Sequence, residues 1–178
     1  MLDIVAKAYE LGFSEAAAID ADDVVTSKEL TTLCNPEACN KYGSCWTCQP
    51  AAGPFEQLQE HITSRNSGIV VQTIRDNVDF YEDWEILDRT RALHNLHLDQ
   101  LADAMREELQ DVLEFSTGGC NLCESCTYPD APCRSPQKQR QSLSAHGVSV
   151  GSTCKRAGMD YSFENGRIRF VGMILYNK

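Results

Sequence analysis

The chain has 178 residues, of which 42% are hydrophobic and 24% charged, values typical of one globular domain with a buried core. Its formal net charge of −10 argues against a protein that binds nucleic acid. No apolar run is long enough to span a bilayer, and the start, MLDIVAKAYELGF, lacks the basic and apolar regions of a signal peptide. We therefore expect a cytoplasmic protein that does not bind membranes.

Hydrophobic periodicity and turn residues predict alternating helices and strands in the first half of the chain. The predicted elements are a short amphipathic helix ended by Gly12, a short buried strand EAAAID, a helix with Ser27 as its N-cap, a helix in residues 54–65 and a buried strand GIVVQTI.

The second half is predicted to begin with the longest helix, in residues 83–110. Its apolar side contains Ile86, Leu93, Leu101, Met105 and Leu109. A strand, VLEF, follows, and SPQKQRQSLSAHG is predicted to be a helix closed by Gly147. Residues 161–176 are predicted to form a hairpin, because Asn165-Gly166 is a strong two-residue turn signal.

These elements predict one α+β domain spanning residues 1–178, with a small mixed sheet flanked by helices. Two cysteine-rich segments fall in loops at the ends of elements. We refer to residues 34–54 as the first cysteine block and to residues 118–136 as the second cysteine block.

The second cysteine block has the spacing that a cubane iron–sulfur cluster needs. Cys120, Cys123 and Cys126 form a C-x2-C-x2-C loop that can hold three corners, and Cys133 supplies the fourth ligand, with Pro136 soon after. In bacterial ferredoxins the run ends C-x3-C-P, so the longer gap before Cys133 is a departure. In a reducing compartment, dense cysteines are more often metal ligands or catalytic thiols than disulfides.

The first cysteine block offers four more thiols, Cys34, Cys39, Cys45 and Cys48. Its spacing is less diagnostic, since zinc could use these residues as two pairs. Eight thiolates in two groups of four favour two [4Fe–4S] clusters, whereas one cluster plus zinc is an alternative. Ligands could also be exchanged between the blocks, as in two-cluster ferredoxins.

Most of the chain from residue 34 to about 160, and residues 39–50 and 118–151 most specifically, resembles a family of small prokaryotic proteins predicted to bind metal, known as domain of unknown function 2284. The resemblance rests on C-x4-C-x2-YG followed by C-x2-C-x-P, on GGC-x2-C-x2-C and PCRSP, and on AHGVSV. The family tends to have two prolines after the fourth cysteine of the first block, whereas here Gln49 stands between Cys48 and Pro50. The resemblance implies eight metal-binding cysteines and no established activity.

A pair of clusters in a small acidic protein predicts electron transfer to a partner redox enzyme, in an oxygen-poor cytoplasm. Residues 134–178 hold eight Lys or Arg against Asp160 and Glu164, a local charge of +6. This segment could wrap the second cluster, form a docking face for an acidic partner such as a ferredoxin or flavodoxin, or be a solvated surface. Arg134, next to Cys133, is the best candidate for a positive charge that raises the cluster potential.

Two other functions remain open. The chain could be a cluster-dependent enzyme or activator subunit with an open iron site, which passes electrons to a bound cofactor such as a corrinoid. It could also be a structural zinc protein that serves as an interaction module, which would be colourless and stable in air.

Other side chains have plainer predicted roles. The ninth cysteine, Cys154, is expected to be a small buried residue rather than a reactive thiol. His94 and His97 lie one helical turn apart, and buried, hydrogen-bonded rings are expected there rather than metal ligands or proton donors. Three aromatic residues among the cysteines, Tyr42, Trp46 and Tyr128, are expected to shield the clusters from water. Two further histidines, His61 and His146, are expected to lie at helix surfaces or ends.

Overall fold

A twisted five-stranded sheet lies at the centre of the computed structural model, which describes residues 2–162 and 164–178. The five strands in chain order are β1 (Glu15–Asp20), β2 (Ser67–Asp76), β3 (Gln110–Ser116), β4 (Gln141–Ser142) and β5 (Arg167–Asn177). The five α-helices are α1 (Ile4–Leu11), α2 (Lys28–Thr31), α3 (Phe55–Thr63), α4 (Trp84–Arg106) and α5 (Val150–Arg156).

The sheet is mixed, as predicted. Its strands are ordered β1-β2-β5-β3-β4, and every neighbouring pair is antiparallel except β3 and β4. The C-terminal strand β5 occupies the centre, where Val71 of β2 and Gly172 of β5 are register partners. The predicted α+β class with a small mixed sheet in one domain is therefore confirmed.

Two apolar layers cover the two faces of the sheet, because successive strand residues point to opposite sides. On one face, Ile69 and Ile174 pack with Leu98 and Leu101 of α4. On the other face, Val70 and its neighbours pack against α3, α5 and the chain between residues 143 and 159. The two ends of each cysteine block are therefore attached to this packed scaffold.

The local signals in the first half of the chain are confirmed. Gly12 ends α1 in the left-handed conformation at φ 99°, and Ser27 is the N-cap residue of α2. Asp3 caps the start of α1 by accepting a hydrogen bond from the Ala6 backbone N–H at 3.0 Å. The strand EAAAID forms as β1, but the prediction that it is buried is wrong, since it is an edge strand in which only Ile19 is buried.

The apolar side predicted for α4 is partly wrong. Ile86 and Leu93 are 44% and 48% exposed, whereas Leu101 and Met105 are fully buried as predicted. The buried face passes through Leu87, His94, Leu98, Leu101 and Met105. The buried Leu87 follows the predicted Ile86 by one position, and the buried His94 follows the predicted Leu93 by one position. One position is about 100° of helical rotation.

Two predictions in the C-terminal third are wrong. Residues 135–147 do not form an α-helix; they contain a single 3-10 turn, Pro136–Lys138, and the short strand β4, which pairs in parallel with β3. The hairpin over residues 161–176 is also absent from the described residues, because β5 pairs with β2 and β3 instead of with the segment before it. Phe163, part of that predicted hairpin, lies outside the described residues.

The basic C-terminal segment is joined to the acidic part of the molecule by ion pairs. Arg140 binds Asp99 through two bonds of 2.6 Å, and Lys138 lies 2.8 Å from Asp103. Further pairs with that part are Arg156 with Asp23 and Arg167 with Asp76, while Arg169 pairs with Asp160 inside the segment. Much of the positive charge of this segment is therefore paired with carboxylates within the fold. Across the residues that the structure describes, no helix has the length and hydropathy needed to cross a bilayer.

Candidate metal centre

The first cysteine block folds into a series of tight turns that bring its thiols together. The Asn35 side chain accepts hydrogen bonds from the backbone N–H groups of Glu37 and Ala38, both at 2.9 Å, and this turn separates Cys34 from Cys39. Gly43 has φ 65° and donates its N–H to the Gln49 carbonyl at 2.7 Å, which closes the loop around the other two cysteines.

Three cysteines of this block line one cavity of about 440 Å³, the first cysteine cavity. Cys34, Cys39 and Cys48 line it, and the Cys45 sulfur lies 3.1 Å from the Cys48 sulfur. Arg91 of α4 contributes to its wall. The four cysteines predicted as one ligand set therefore lie together.

The thiols of the second cysteine block surround a much smaller cavity of about 30 Å³, the second cysteine cavity. Its wall includes all four predicted ligands, Cys120, Cys123, Cys126 and Cys133. The backbone N–H of Ser135 donates to the Cys133 sulfur at 3.4 Å. Arg134 also lines this cavity and donates to the Ser125 carbonyl at 2.8 Å, so its charge lies where the sequence predicted.

Each block supplies part of the other block's wall. Thr47, from the first block, lines the second cysteine cavity, while Gly118 and Gly119, from the second block, line the first. A Cβ at Gly119 would lie 2.4 Å from the Cys48 sulfur, so only glycine lets the backbone pass this close.

Aromatic side chains cover the second block. Trp46 donates its indole N–H to the Ala131 carbonyl at 3.2 Å and packs edge-to-face against Tyr128, with ring centroids 5.0 Å apart. Tyr42 lines the first cysteine cavity. These contacts place the three aromatic residues beside the thiols, where shielding was expected.

A buried arginine links the second block to α4. The sequence indicated this residue only as one of the positive charges of the basic C-terminal segment. Arg140, 5% exposed, binds Asp99 of α4 and also the side chain of Asn121, which lies between Cys120 and Cys123. No local pattern identifies Arg140, or Arg91 in the first cavity, because α4 brings both into contact with loops distant in sequence.

Crowding of the thiols shifts their pKa values. The contact with the Cys48 thiol lowers the pKa of Cys45 to about 5, and the same contact raises the pKa of Cys48. Burial raises the pKa of Cys34 and of Cys120. Ionising all the thiols of one block therefore requires a bound cation to offset their mutual repulsion.

The histidines lie apart from these cavities. His94 is buried, with its Nδ1 2.9 Å from Thr73 Oγ1, and His97 contacts Phe13. His146 was expected at a surface or helix end, which is wrong, because it is fully buried and its Nε2 lies 3.0 Å from His61 Nδ1. Cys154 is fully buried, as expected.

The residues present fit a thiolate-bound metal group by the chemistry of their donors. The side chains lining the two cavities that commonly bind metals are all cysteine thiols, which are soft ligands suited to iron–sulfur clusters and zinc. In residues 2–162 and 164–178, no three His, Cys, Asp or Glu side chains are already spaced to hold a single metal ion.

Comparison with known families gives one match. A family model described as a predicted metal-binding protein, DUF2284, matches residues 17–176, which include both cysteine blocks. No curated protein and no solved structure matches the chain.

Proposed function

Because the chain belongs to this family of predicted metal-binding proteins, we propose that it holds two [4Fe–4S] clusters and passes electrons to a partner redox enzyme. The first cluster would be held by Cys34, Cys39, Cys45 and Cys48, and the second by Cys120, Cys123, Cys126 and Cys133. Each bound cluster would supply one-electron redox chemistry.

The observation that carries this proposal is the gathering of eight thiols into two groups of four at cavities without other metal-binding side chains among their described lining residues. The C-x2-C-x2-C loop of the second block is the spacing expected for three corners of a cubane. Cationic side chains stand at both cavities, Arg91 at the first and Arg134 at the second, where they would offset the negative charge of thiolate-bound clusters.

The contacts between the blocks support transfer between the two sites. Thr47 Oγ1 lies 3.6 Å from the Cys45 sulfur and accepts the Cys120 backbone N–H at 3.2 Å. One side chain therefore links proposed ligands of both clusters, and Thr47 is only 1% exposed. Electrons could pass between the sites without crossing solvent.

Cavity size favours one specific alternative. The first cysteine cavity, about 440 Å³, has room for a polynuclear cluster. The second, about 30 Å³, has room for only about two water molecules. One cluster at the first site and one zinc ion at the second is therefore the second candidate, and zinc at both sites would make the chain a structural interaction module.

The partner we propose is a redox protein, such as a ferredoxin, a flavodoxin or a reductase that carries its own cofactor. An oxygen-poor cytoplasm would suit exposed clusters. If one of the eight cysteines is not a ligand, the cluster at that site has an open iron, and the chain would then act as a cluster-dependent enzyme or activator subunit.

Iron, acid-labile sulfide and zinc per chain, measured on protein purified without oxygen, test this proposal. Two clusters predict about eight irons and eight sulfides and a broad absorbance at ~400 nm that bleaches on reduction. About four irons with one zinc would support the mixed alternative. About two zinc ions without sulfide would overturn the electron-transfer proposal.

A further inference from the structure

A cavity of about 500 Å³, which we call the aromatic cavity, lies between the loop preceding α4 and the start of β5. Val78, Leu87 and Ile168 form its apolar floor, and Phe80, Tyr81 and Tyr161 add aromatic rings. Its volume falls within the roughly 300–1,000 Å³ typical of sites for small organic ligands. None of its residues belongs to either cysteine block.

Two of the aromatic rings are held out into solvent at the rim. Phe80 is 67% exposed and Tyr81 is 85% exposed, and their ring centroids lie 5.5 Å apart in an edge-to-face arrangement. The loop that presents them is fastened by Asp79, whose carboxylate accepts the N–H of Tyr81 at 2.8 Å. Asp83 in turn accepts the N–H of Asp79 at 2.8 Å. A fixed loop that exposes two adjacent rings offers a preformed apolar surface to a ligand.

The polar group of the cavity wall that lacks a hydrogen-bond partner among the described residues is a donor. Its acidic side chains are already used: Asp79 by its own loop, and Glu164 by Arg167 at 2.8 Å. Arg169 also lines the cavity, and its side chain is only 6% exposed. Its Nη groups bond to Ser162 and Asp160, but its Nε has no hydrogen-bond acceptor within residues 2–162 and 164–178. A ligand oxygen would supply the kind of partner that this wall lacks.

The aromatic cavity lies beside the first cysteine cavity. Leu87 lines the former and Arg91 the latter, and these residues are one turn apart on α4, about 6 Å along its axis. A second connection passes through β5, where Thr117 donates to the Val171 carbonyl at 2.8 Å. Thr117 precedes Gly118 of the first cysteine cavity, while Val171 follows Arg169 by two residues. The walls of the two cavities are therefore connected through α4 and through β5.

We propose that the aromatic cavity binds a flat, conjugated organic molecule bearing carbonyl, carboxylate or sulfonate oxygens, of the size of an isoalloxazine or naphthoquinone ring. Phe80 and Tyr81 contact the faces or edges of the ring, and the Arg169 Nε donates to one of its oxygens. The binding site stands on the geometry of the cavity alone. That its natural ligand is redox-active rests on the proposed function and on the neighbouring first cysteine cavity.

Fluorescence titration without oxygen tests the binding, with riboflavin and anthraquinone-2-sulfonate as the two probes. The full chain as purified is expected to bind at least one of them saturably. Substituting both rim residues, Phe80→Ala with Tyr81→Ala, is expected to weaken that binding at least about tenfold, the effect of removing aromatic stacking on a planar ring. Both residues are exposed, so the fold should survive their replacement.

Trp84→Ala is the matched control, since Trp84 is a nearby aromatic residue, 64% exposed, that does not line the cavity. It should leave the affinity within about twofold. Failure of the wild type to bind either probe, or equal affinities for the rim variant and the wild type, would overturn the site. Metal analysis of the same samples separates the two proposals: binding by protein without iron keeps the site and removes the clusters, whereas iron-loaded protein that binds neither probe removes only the site.

Discussion

Thr47 and Cys120, 73 positions apart in the chain, are joined by a hydrogen bond of 3.2 Å from the Cys120 backbone N–H to the Thr47 hydroxyl. The same hydroxyl lies 3.6 Å from the Cys45 sulfur. The two cysteine blocks are therefore a single structural unit rather than two independent loops, and loss of the Thr47 hydroxyl should be felt at both.

Thr47→Val tests this junction, since valine keeps the shape of threonine and removes the hydroxyl. The Cys120 N–H then loses its acceptor, which should lower the free energy of unfolding by about 1–3 kcal/mol. The midpoint of guanidinium unfolding, followed by circular dichroism without oxygen, measures the effect. Thr63→Val, at an exposed position of α3, is the control and should change the midpoint little. Equal midpoints for the two variants would show that the junction contributes nothing.

Gly119→Ala should disable the first site selectively. The new Cβ would lie 2.4 Å from the Cys48 sulfur and 3.1 Å from that of Cys45, so these sulfurs or the backbone must move. We expect about half of the bound iron and sulfide to be lost while the other half remains. Gly158→Ala is the control, because Gly158 has φ 73° but open space around it. That variant adds the backbone strain of a left-handed φ, which Gly119→Ala does not, but brings no atom near a thiol, and it should keep its full metal content.

Single cysteine-to-serine changes should divide the nine cysteines into two classes. Cys133→Ser should remove the metal of the second cysteine block and leave that of the first, since serine is a poor substitute for a thiolate ligand. Cys154→Ser should keep both, because that thiol is buried beside Gln72, with the Gln72 Nε2 3.5 Å from its sulfur. Iron and sulfide per chain are the readout. Full metal content in Cys133→Ser would instead indicate that this site does not need a fourth cysteine.

The sequence was sufficient where a local rule decides the structure. Gly12 ends α1 because glycine adopts positive φ without strain, and Ser27 stands in extended backbone at the N-cap of α2, although its side chain makes no capping hydrogen bond. Each cysteine block also gathers by short turns of its own, so the two groups of four thiols were foreseeable from spacing. These features need no knowledge of distant contacts.

The sequence was insufficient where tertiary pairing decides. Residues 135–147 carry a helix-like pattern, yet Gln141 and Ser142 pair with β3, and the Arg140 side chain is drawn to Asp99. The Asn165-Gly166 turn signal is real, since Gly166 has φ 76°, but β5 finds longer partners in β2 and β3. The contribution of each cysteine block to the other block's cavity could not be predicted either, because it depends on where the sheet directs each loop.

Glu114 should make the protein less stable as the pH rises toward neutrality. Its side chain is 1% exposed, and burial raises its pKa to about 7 in spite of the bond from Arg106 at 2.5 Å. In the unfolded chain the pKa returns to about 4.3, so the folded state alone holds the proton between these values. Stability from this group is therefore complete below about pH 4 and is lost through pH 7, by up to ~3 kcal/mol.

Glu114→Gln should remove this dependence, because glutamine stays neutral and can still accept from Arg106. The free energy of unfolding, measured from pH 5 to 8, should fall more steeply with pH for the wild type than for the variant. Glu107→Gln, at an exposed position after α4, is the control and should leave the slope unchanged. Parallel curves for Glu114→Gln and the wild type would mean that Arg106 keeps the Glu114 carboxylate ionised.

His94 should act in the opposite direction. It is fully buried, and burial, with smaller effects from His97 and Arg140, lowers its pKa to about 4. The unfolded chain takes up a proton at this residue below about pH 6.5, whereas the folded chain does not. Its contribution is thus intact above pH 6.5 and declines by about 2 kcal/mol between pH 6.5 and 5. His94→Gln should flatten the acid limb of the stability curve, measured by denaturant unfolding, and His97→Gln, at a half-buried position, should flatten it less. An unchanged limb in His94→Gln would mean that the folded protein accommodates the charged ring.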